Sequence, residues 1–290
     1  MDRTMNEALA NQQIAVVGGG TMGVGIVYVS AMAGAHVTVV EPDDARAAGL
    51  RDTISKTAAS AITRGKLDPA GAAALESRIT RIANVDALPE GLDLVIETVP
   101  ERLELKLDIL ARIARRAPRL IGSNTSAMSI DRLAQALPDP GIFLGMHFFN
   151  PVWSIHLVEL VEGAKTLPET LEAARAYVTA IGKQSLTVRD VPGFATSRLD
   201  LIASLEAMRM LESGVASAED IDRAAVVAYR HPVGPLRLSD IVGIDVRLDI
   251  ARTLEAAHGP RFAPPQILID MVAAGKLGAK SGQGFFTWPQ

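Results

Sequence analysis

A chain of 290 residues that is 48% hydrophobic but only 4% aromatic has room for two domains and suits an α/β fold with aliphatic helical packing. Its 29 basic and 33 acidic residues nearly balance, which argues against nucleic acid or an anionic membrane surface as partner. The absence of cysteine excludes disulfides, thiol catalysis and cysteine-based metal sites, and fits a cytoplasmic location. No apolar run reaches transmembrane length, and residues 1–13 lack the apolar core of a signal peptide, so a soluble protein is expected.

Ile14-Ala-Val-Val17 reads as a short buried strand, followed at once by Gly18-Gly-Gly-Thr-Met-Gly23, an apolar helix over 24–33 and a second strand over 36–40 that ends at Glu41. Strand, G-x-G-x-x-G, helix, strand and acid in that order form a dinucleotide-binding unit. Gly18 permits the tight turn, Gly20 lets backbone amides approach a pyrophosphate, and Gly23 lets the helix pack on the strand. The helix N-terminus, opening at Thr21 and Met22, supplies partial positive charge to the phosphates. Glu41 stands where a carboxylate accepts both ribose hydroxyls and repels a 2′-phosphate, so NAD is expected over NADP.

Helical periodicity over 42–81 is broken at Thr63-Arg-Gly-Lys-Leu-Asp-Pro69. The basic pair there, Arg64 and Lys66, is either a phosphate contact or a solvated corner. Strands are predicted over 79–82, 92–97, 120–122 and 142–146, with helices over 103–115 and 130–137 between them. This alternation predicts a largely parallel, doubly wound sheet. In such sheets ligands bind beyond the carboxyl ends of the strands. Glu41, Thr98, the turn Ser123-Asn-Thr-Ser126 and His147 all follow predicted strands and are expected to face one crevice.

The stretch Gly145-Met-His-Phe-Phe-Asn-Pro-Val-Trp-Ser-Ile-His-Leu-Val-Glu159 carries the candidate chemistry. Asn150-Pro151 breaks the chain direction, and the apolar run over 155–161 reads as a strand. Such a turn brings His147 and Glu159 face to face, and a carboxylate on one ring nitrogen raises the basicity of the other, as a general base requires. The alternative is a core histidine and a surface acid.

A helix over 168–181 and a strand over 184–188 lead to Asp190-Val-Pro-Gly193, read as a domain boundary. Beyond it the periodicity is helical only: 198–211, a helix capped by Ser217, then 239–257 and 265–274. A helical face containing Leu199, Ile202, Leu205 and Met208 suits burial against a partner subunit. The tail, 275–288, is glycine-rich and basic but ends in Phe-Phe-Thr-Trp288, which argues that it packs back.

Taken together these motifs resemble the 3-hydroxyacyl-CoA dehydrogenase family. The resemblance rests on Gly18-Gly-Gly-Thr-Met-Gly23, Ser123-Asn-Thr-Ser126, Gly145-Met-His-Phe-Phe-Asn-Pro151, Leu157-Val-Glu159, Asp190-Val-Pro-Gly-Phe194 and Lys280-Ser-Gly-Gln-Gly-Phe-Phe286. It implies a Rossmann-like domain over 1–189 with a helical arm near 45–80, and an all-helical dimerisation domain over 190–290. By the same resemblance His147 is the general base, Glu159 its orienting partner and Ser126 a donor to the reacting oxygen. Glu101, Lys106, Asn150 and Lys280 match positions near bound NAD, and Arg64 and Lys66 fall in the arm that meets CoA phosphates. Where the family reads Pro-Gly-Phe-x-x-Asn-Arg, this chain has Ser197 before Arg198, either a helix cap or a substitute hydroxyl donor.

The implied reaction is reversible NAD-dependent oxidation of a short-chain (S)-3-hydroxyacyl-CoA, such as 3-hydroxybutyryl-CoA, by a single-activity homodimer that needs no metal. Three alternatives stay open: a carrier-protein-bound substrate, a free hydroxy acid or carnitine, and dinucleotide binding without turnover.

Overall fold

The computed structural model describes residues 8–289, and the chain divides after Asp190 into two compact units. The first is built on β1 (Gln13–Val17), β2 (His36–Val40), β3 (Ile79–Ile82), β4 (Leu94–Glu97), β5 (Ile121–Ser123), β6 (Phe143–Phe148), β7 (Leu157–Glu162) and β8 (Gln184–Arg189). They form one sheet in the order β3-β2-β1-β4-β5-β6-β7-β8, and each neighbouring pair is parallel except β6 and β7. Its central strands are largely apolar runs buried on both faces, as a sheet covered by helices requires.

The covering helices are α1 (Thr21–Met32), α2 (Asp44–Thr63), α3 (Pro69–Ser77), α4 (Leu103–Ala114), α5 (Ile130–Ala134) and α6 (Pro168–Ala180). Helix α1 is apolar all round and buried from Gly23 to Ala31, so it lies against the middle of the sheet. Helices α2 and α3 form the predicted arm. Asp43 starts α2 by accepting Arg46 N–H at 2.8 Å, and Asp68 starts α3 by accepting Gly71 N–H at 2.7 Å, with Pro69 at the first helical position.

The second unit is helical: α7 (Thr196–Glu212), α8 (Ala218–Arg223) running into a π-helical turn, α9 (Pro235–Val242), α10 (Ile244–His258) and α11 (Gln266–Ala273). Leu201, Leu205, Met208, Leu248, Leu254 and Leu268 form its core. Ser217 caps α8 as predicted, accepting Asp220 N–H at 3.2 Å.

Two expectations are corrected here, and one of the two alternatives for Ser197 is removed. The single helix over 239–257 is two, broken at Gly243, whose φ of 109° no helix accommodates. Leu205 and Met208 face the unit's own core rather than an outer surface, and only Leu199, 70% exposed, stands out from it. Ser197 is not a cap. Gly193 and Phe194, both at positive φ, turn the chain early, so α7 opens at Thr196 with Ala195 at the cap position and no side-chain cap bond.

The tail packs back, as its apolar finish suggested. Buried Asp240 accepts Phe285 and Phe286 N–H, each at 2.9 Å, and Trp288 Nε1–H at 2.8 Å. The Arg237 guanidinium lies 4.1 Å over the Phe286 ring.

Candidate active site

The antiparallel pairing of β6 with β7 positions the candidate chemistry. Because β6 and β7 run in opposite directions, His147 and Glu159 are direct register partners. Side chains of such a pair lie on the same face of the sheet. His147 Nδ1 is 2.9 Å from Glu159 Oε2; Glu159 is fully buried and His147 nearly so. The fully buried carboxylate takes the Nδ1 proton as its hydrogen-bond partner, which fixes the ring's tautomer and orientation and leaves Nε2 as the acceptor. The sequence placed His147 just beyond a strand ending at 146; β6 instead continues through Phe148, whose N–H donates to Asn124 Oδ1 at 2.9 Å. The histidine is thereby held on rigid ladder rather than on a loop.

The glycine-rich turn joins β1 to α1. Gly18 has φ 112°, and a Cβ there would meet Thr98 at 2.8 Å, while a Cβ on Gly23 would come within 1.9 Å of the Gly18 carbonyl oxygen. At Gly20 nothing lies within 4 Å of a Cβ position, and α1 has no side-chain cap. Its first-turn N–H groups therefore open onto space, the arrangement that receives phosphates. Gly20, Thr21, Met22, Glu41, Asn84 and Thr98 help line a cavity of 810 Å³. Buried Glu41 is anchored on both oxygens: Oε2 accepts Gly19 N–H at 3.0 Å, and Oε1 accepts Asp43 N–H at 3.0 Å and Arg46 Nε–H at 3.2 Å. Glycine turn, open helix end and fixed carboxylate together fit a dinucleotide.

Between these lies a polar network at the ends of β4 and β5. Buried Glu97 accepts Lys106 Nζ at 2.8 Å, Val99 N–H at 2.7 Å and Ser123 Oγ–H at 2.7 Å. Lys106, 1% exposed, also lies 3.2 Å from Glu101, whose carboxylate accepts a short hydrogen bond from Thr125 Oγ1–H. Thr125 Oγ1 in turn accepts Met128 N–H at 2.9 Å. Glu101, Lys106 and the turn carrying Ser126 are thus brought together. Glu97 was not among the sequence candidates, although an acid ending an apolar strand was the available signal. Ser126 and Asn150 are exposed at the surface of this unit.

The arm carries Arg64 and Lys66 to a second cavity, of 770 Å³, which they line with Arg78, Tyr28, Trp153 and His156. The Tyr28 and Trp153 rings meet edge to face with centroids 6.2 Å apart. Burial raises the Tyr28 pKa, and the nearby Arg64 charge opposes that rise. In the second unit, Ser197 is half-buried in the first turn of α7, and Lys280 Nζ is 2.5 Å from Asp245 Oδ1. The hydrogen bond from Lys280 holds the Asp245 carboxyl below the ordinary range. Among the described residues no cluster of His, Asp or Glu could hold a metal ion, and no helix is long and apolar enough to cross a membrane.

Both units match one protein family. Residues 13–191 match the family model described as 3-hydroxyacyl-CoA dehydrogenase, NAD binding domain, and residues 193–288 match that family's C-terminal domain. A 3-hydroxybutyryl-CoA dehydrogenase of Mycobacterium tuberculosis is 40% identical over 98% of this chain and 100% of its own length. One from Bradyrhizobium diazoefficiens is 35% identical over 96% and 95%. The crystal structure of (S)-3-hydroxybutyryl-CoA dehydrogenase from Ralstonia eutropha superposes with a TM-score of 0.92 at 36% identity, covering 96% of this chain and 99% of that one.

Proposed function

Because the chain belongs to the 3-hydroxyacyl-CoA dehydrogenase family, we propose that it interconverts short-chain (S)-3-hydroxyacyl-CoA and 3-ketoacyl-CoA, with 3-hydroxybutyryl-CoA as a representative substrate. The observation that carries the reading is the His147–Glu159 contact on paired strands. NAD, when bound, supplies the hydride acceptor, so the protein itself has one proton to move. With Nδ1 committed to Glu159, the substrate hydroxyl proton falls to His147 Nε2. Glu159 stabilises the imidazolium formed in oxidation, and the same proton returns to the carbonyl oxygen in reduction.

Ser126 and Ser197 are the hydroxyls assigned to the substrate oxygen, as donors to the charge that develops there. Glu41 takes the ribose hydroxyls. Glu101, Lys106, Asn150 and Lys280 are assigned to NAD by the resemblance. The 770 Å³ cavity takes the CoA moiety, with Arg64 and Lys66 answering its phosphates and the Tyr28–Trp153 wall covering its apolar arm. Lengths and identities shared with two curated 3-hydroxybutyryl-CoA dehydrogenases support the short acyl chain. The absence of cysteine supports a reducing, cytoplasmic setting.

A homodimer completes the reading. Leu199, Ile241 and Val246 of the second unit are 70%, 54% and 40% exposed, apolar side chains that a partner subunit would cover. The deciding experiment is a panel of 3-ketoacyl thioesters from acetoacetyl to long-chain, each as CoA and carrier-protein forms, reduced with NADH. Highest kcat/KM for acetoacetyl-CoA is expected; preference for a carrier-protein thioester would overturn the assignment.

A further inference from the structure

Residues 149–156 join the strand that carries His147 to the strand that carries Glu159, and one buried lysine holds that loop. Val152, 1% exposed, packs against Gly25 of α1, where a Cβ would come within 2.5 Å of the Val152 side chain. Trp153, Ser154 and His156 face the 770 Å³ cavity. The loop's own backbone supplies only a turn, in which Ser154 and Ile155 N–H donate to the Pro151 carbonyl, and a bond from Gln184 N–H to the His156 carbonyl.

Lys183 follows Gly182, whose positive φ of 73° ends α6, and its side chain runs back under the loop. Its Nζ donates to the Val152 carbonyl at 2.5 Å and to the Ile155 carbonyl at 2.6 Å. The residue is 7% exposed, and among the described residues it belongs to no ion pair. Burial lowers its pKa below the ordinary lysine range. A buried ammonium without a carboxylate is costly, so two backbone carbonyls must hold it well, and in doing so they are themselves held.

We infer that Lys183 is a positioning residue for thioester binding: its ammonium fixes the 152–155 loop so that Trp153 and His156 form a wall of the substrate cavity. The inference rests on the proposal that this cavity takes the CoA moiety. It separates two roles that the loop joins, because the His147–Glu159 contact is secured by the strand ladder and the CoA wall by Lys183.

The test uses Lys183→Met, which keeps the apolar stem, and Lys183→Gln, whose shorter amide reaches one carbonyl and keeps the test available should the methionine variant not fold. KM for acetoacetyl-CoA should rise roughly tenfold in Lys183→Met and about threefold in Lys183→Gln, while kcat and KM for NADH stay within about twofold. Unchanged KM for the thioester in a folded variant overturns the inference, as does an equal loss in KM for NADH. Trp288→Phe leaves Trp153 as the sole tryptophan. In that background CoA alone should quench Trp153 emission, and Lys183→Met should make Trp153 more accessible to acrylamide. Absent quenching sinks the cavity assignment and the inference with it. Quenching by CoA together with unchanged thioester KM in Lys183→Met sinks the role of Lys183 alone.

Discussion

Glu41 and Arg46 are paired in the 810 Å³ cavity, Arg46 Nε lying 3.2 Å from Glu41 Oε1 although Arg46 itself is largely exposed. The arginine steadies the carboxylate proposed to meet the ribose and, with the Gly19 and Asp43 amides, holds it in one orientation. A 2′-phosphate placed there would meet a fixed negative charge. NAD should exceed NADP by at least about tenfold in kcat/KM, roughly 1.4 kcal/mol. Steady-state kinetics with both cofactors check this, and equal use would mean that Glu41 does not face the ribose. Glu41→Ala should narrow the ratio, because it removes the repulsion and releases Arg46.

Ser197 offers a second test, sharpened by its place inside α7 rather than at the cap. With no cap bond to lose, Ser197→Ala should change stability by no more than about 0.5 kcal/mol. As a donor to the substrate oxygen its loss should lower thioester kcat/KM about tenfold, and Ser197→Asn should keep or exceed parent activity by supplying an amide donor. Melting curves measured beside the kinetics separate the two effects. Intact kinetics in Ser197→Ala would remove Ser197 from the site.

The tail is a stability element. Asp240 is 1% exposed and satisfies three donors at 285, 286 and 288. Asp240→Ala strands those donors, and about 3–5 kcal/mol should be lost, read as a lower urea midpoint. A loss under about 1 kcal/mol would show that the tail is held by its aromatic contacts instead.

The dimer proposal separates residues that the sequence grouped. Leu199 stands in solvent, so Leu199→Asp should shift sedimentation at micromolar concentration towards a species of ~31 kDa without lowering the melting temperature. Leu205→Ala, in the core, should instead cost about 2–5 kcal/mol of stability. A parent protein that sediments only as a monomer would refute the dimer.

The α/β alternation, the glycine turn and the meeting of His147 with Glu159 across a turn were legible in the sequence, because each is local. A periodicity, a spacing or a turn at Asn150-Pro151 encodes it. That His147 and Glu159 sit on paired antiparallel strands was not legible. What sequence order did not disclose depends on distant chain segments meeting. Lys183 reaches back to carbonyls of the 152–155 loop, Glu97 gathers Lys106 and Ser123, and Asp240 receives the tail. The cap alternative for Ser197 fails for a local reason: two consecutive residues at positive φ let α7 start two residues earlier than a serine cap at 197 requires. Gly243 was a visible break inside the 239–257 periodicity, but apolar spacing continues across it and masked the corner.

The account stands most directly on whether His147 and Glu159 act as one unit. His147→Gln should lower kcat by roughly 10²–10⁴, the usual worth of a positioned general base, with NAD affinity nearly unchanged. Glu159→Gln should lower kcat through the same proton transfer. The measurement is the double-mutant cycle on kcat: His147→Gln/Glu159→Gln should be little worse than His147→Gln alone. Losses that multiply would show two residues working separately and contradict the pairing on which the mechanism rests.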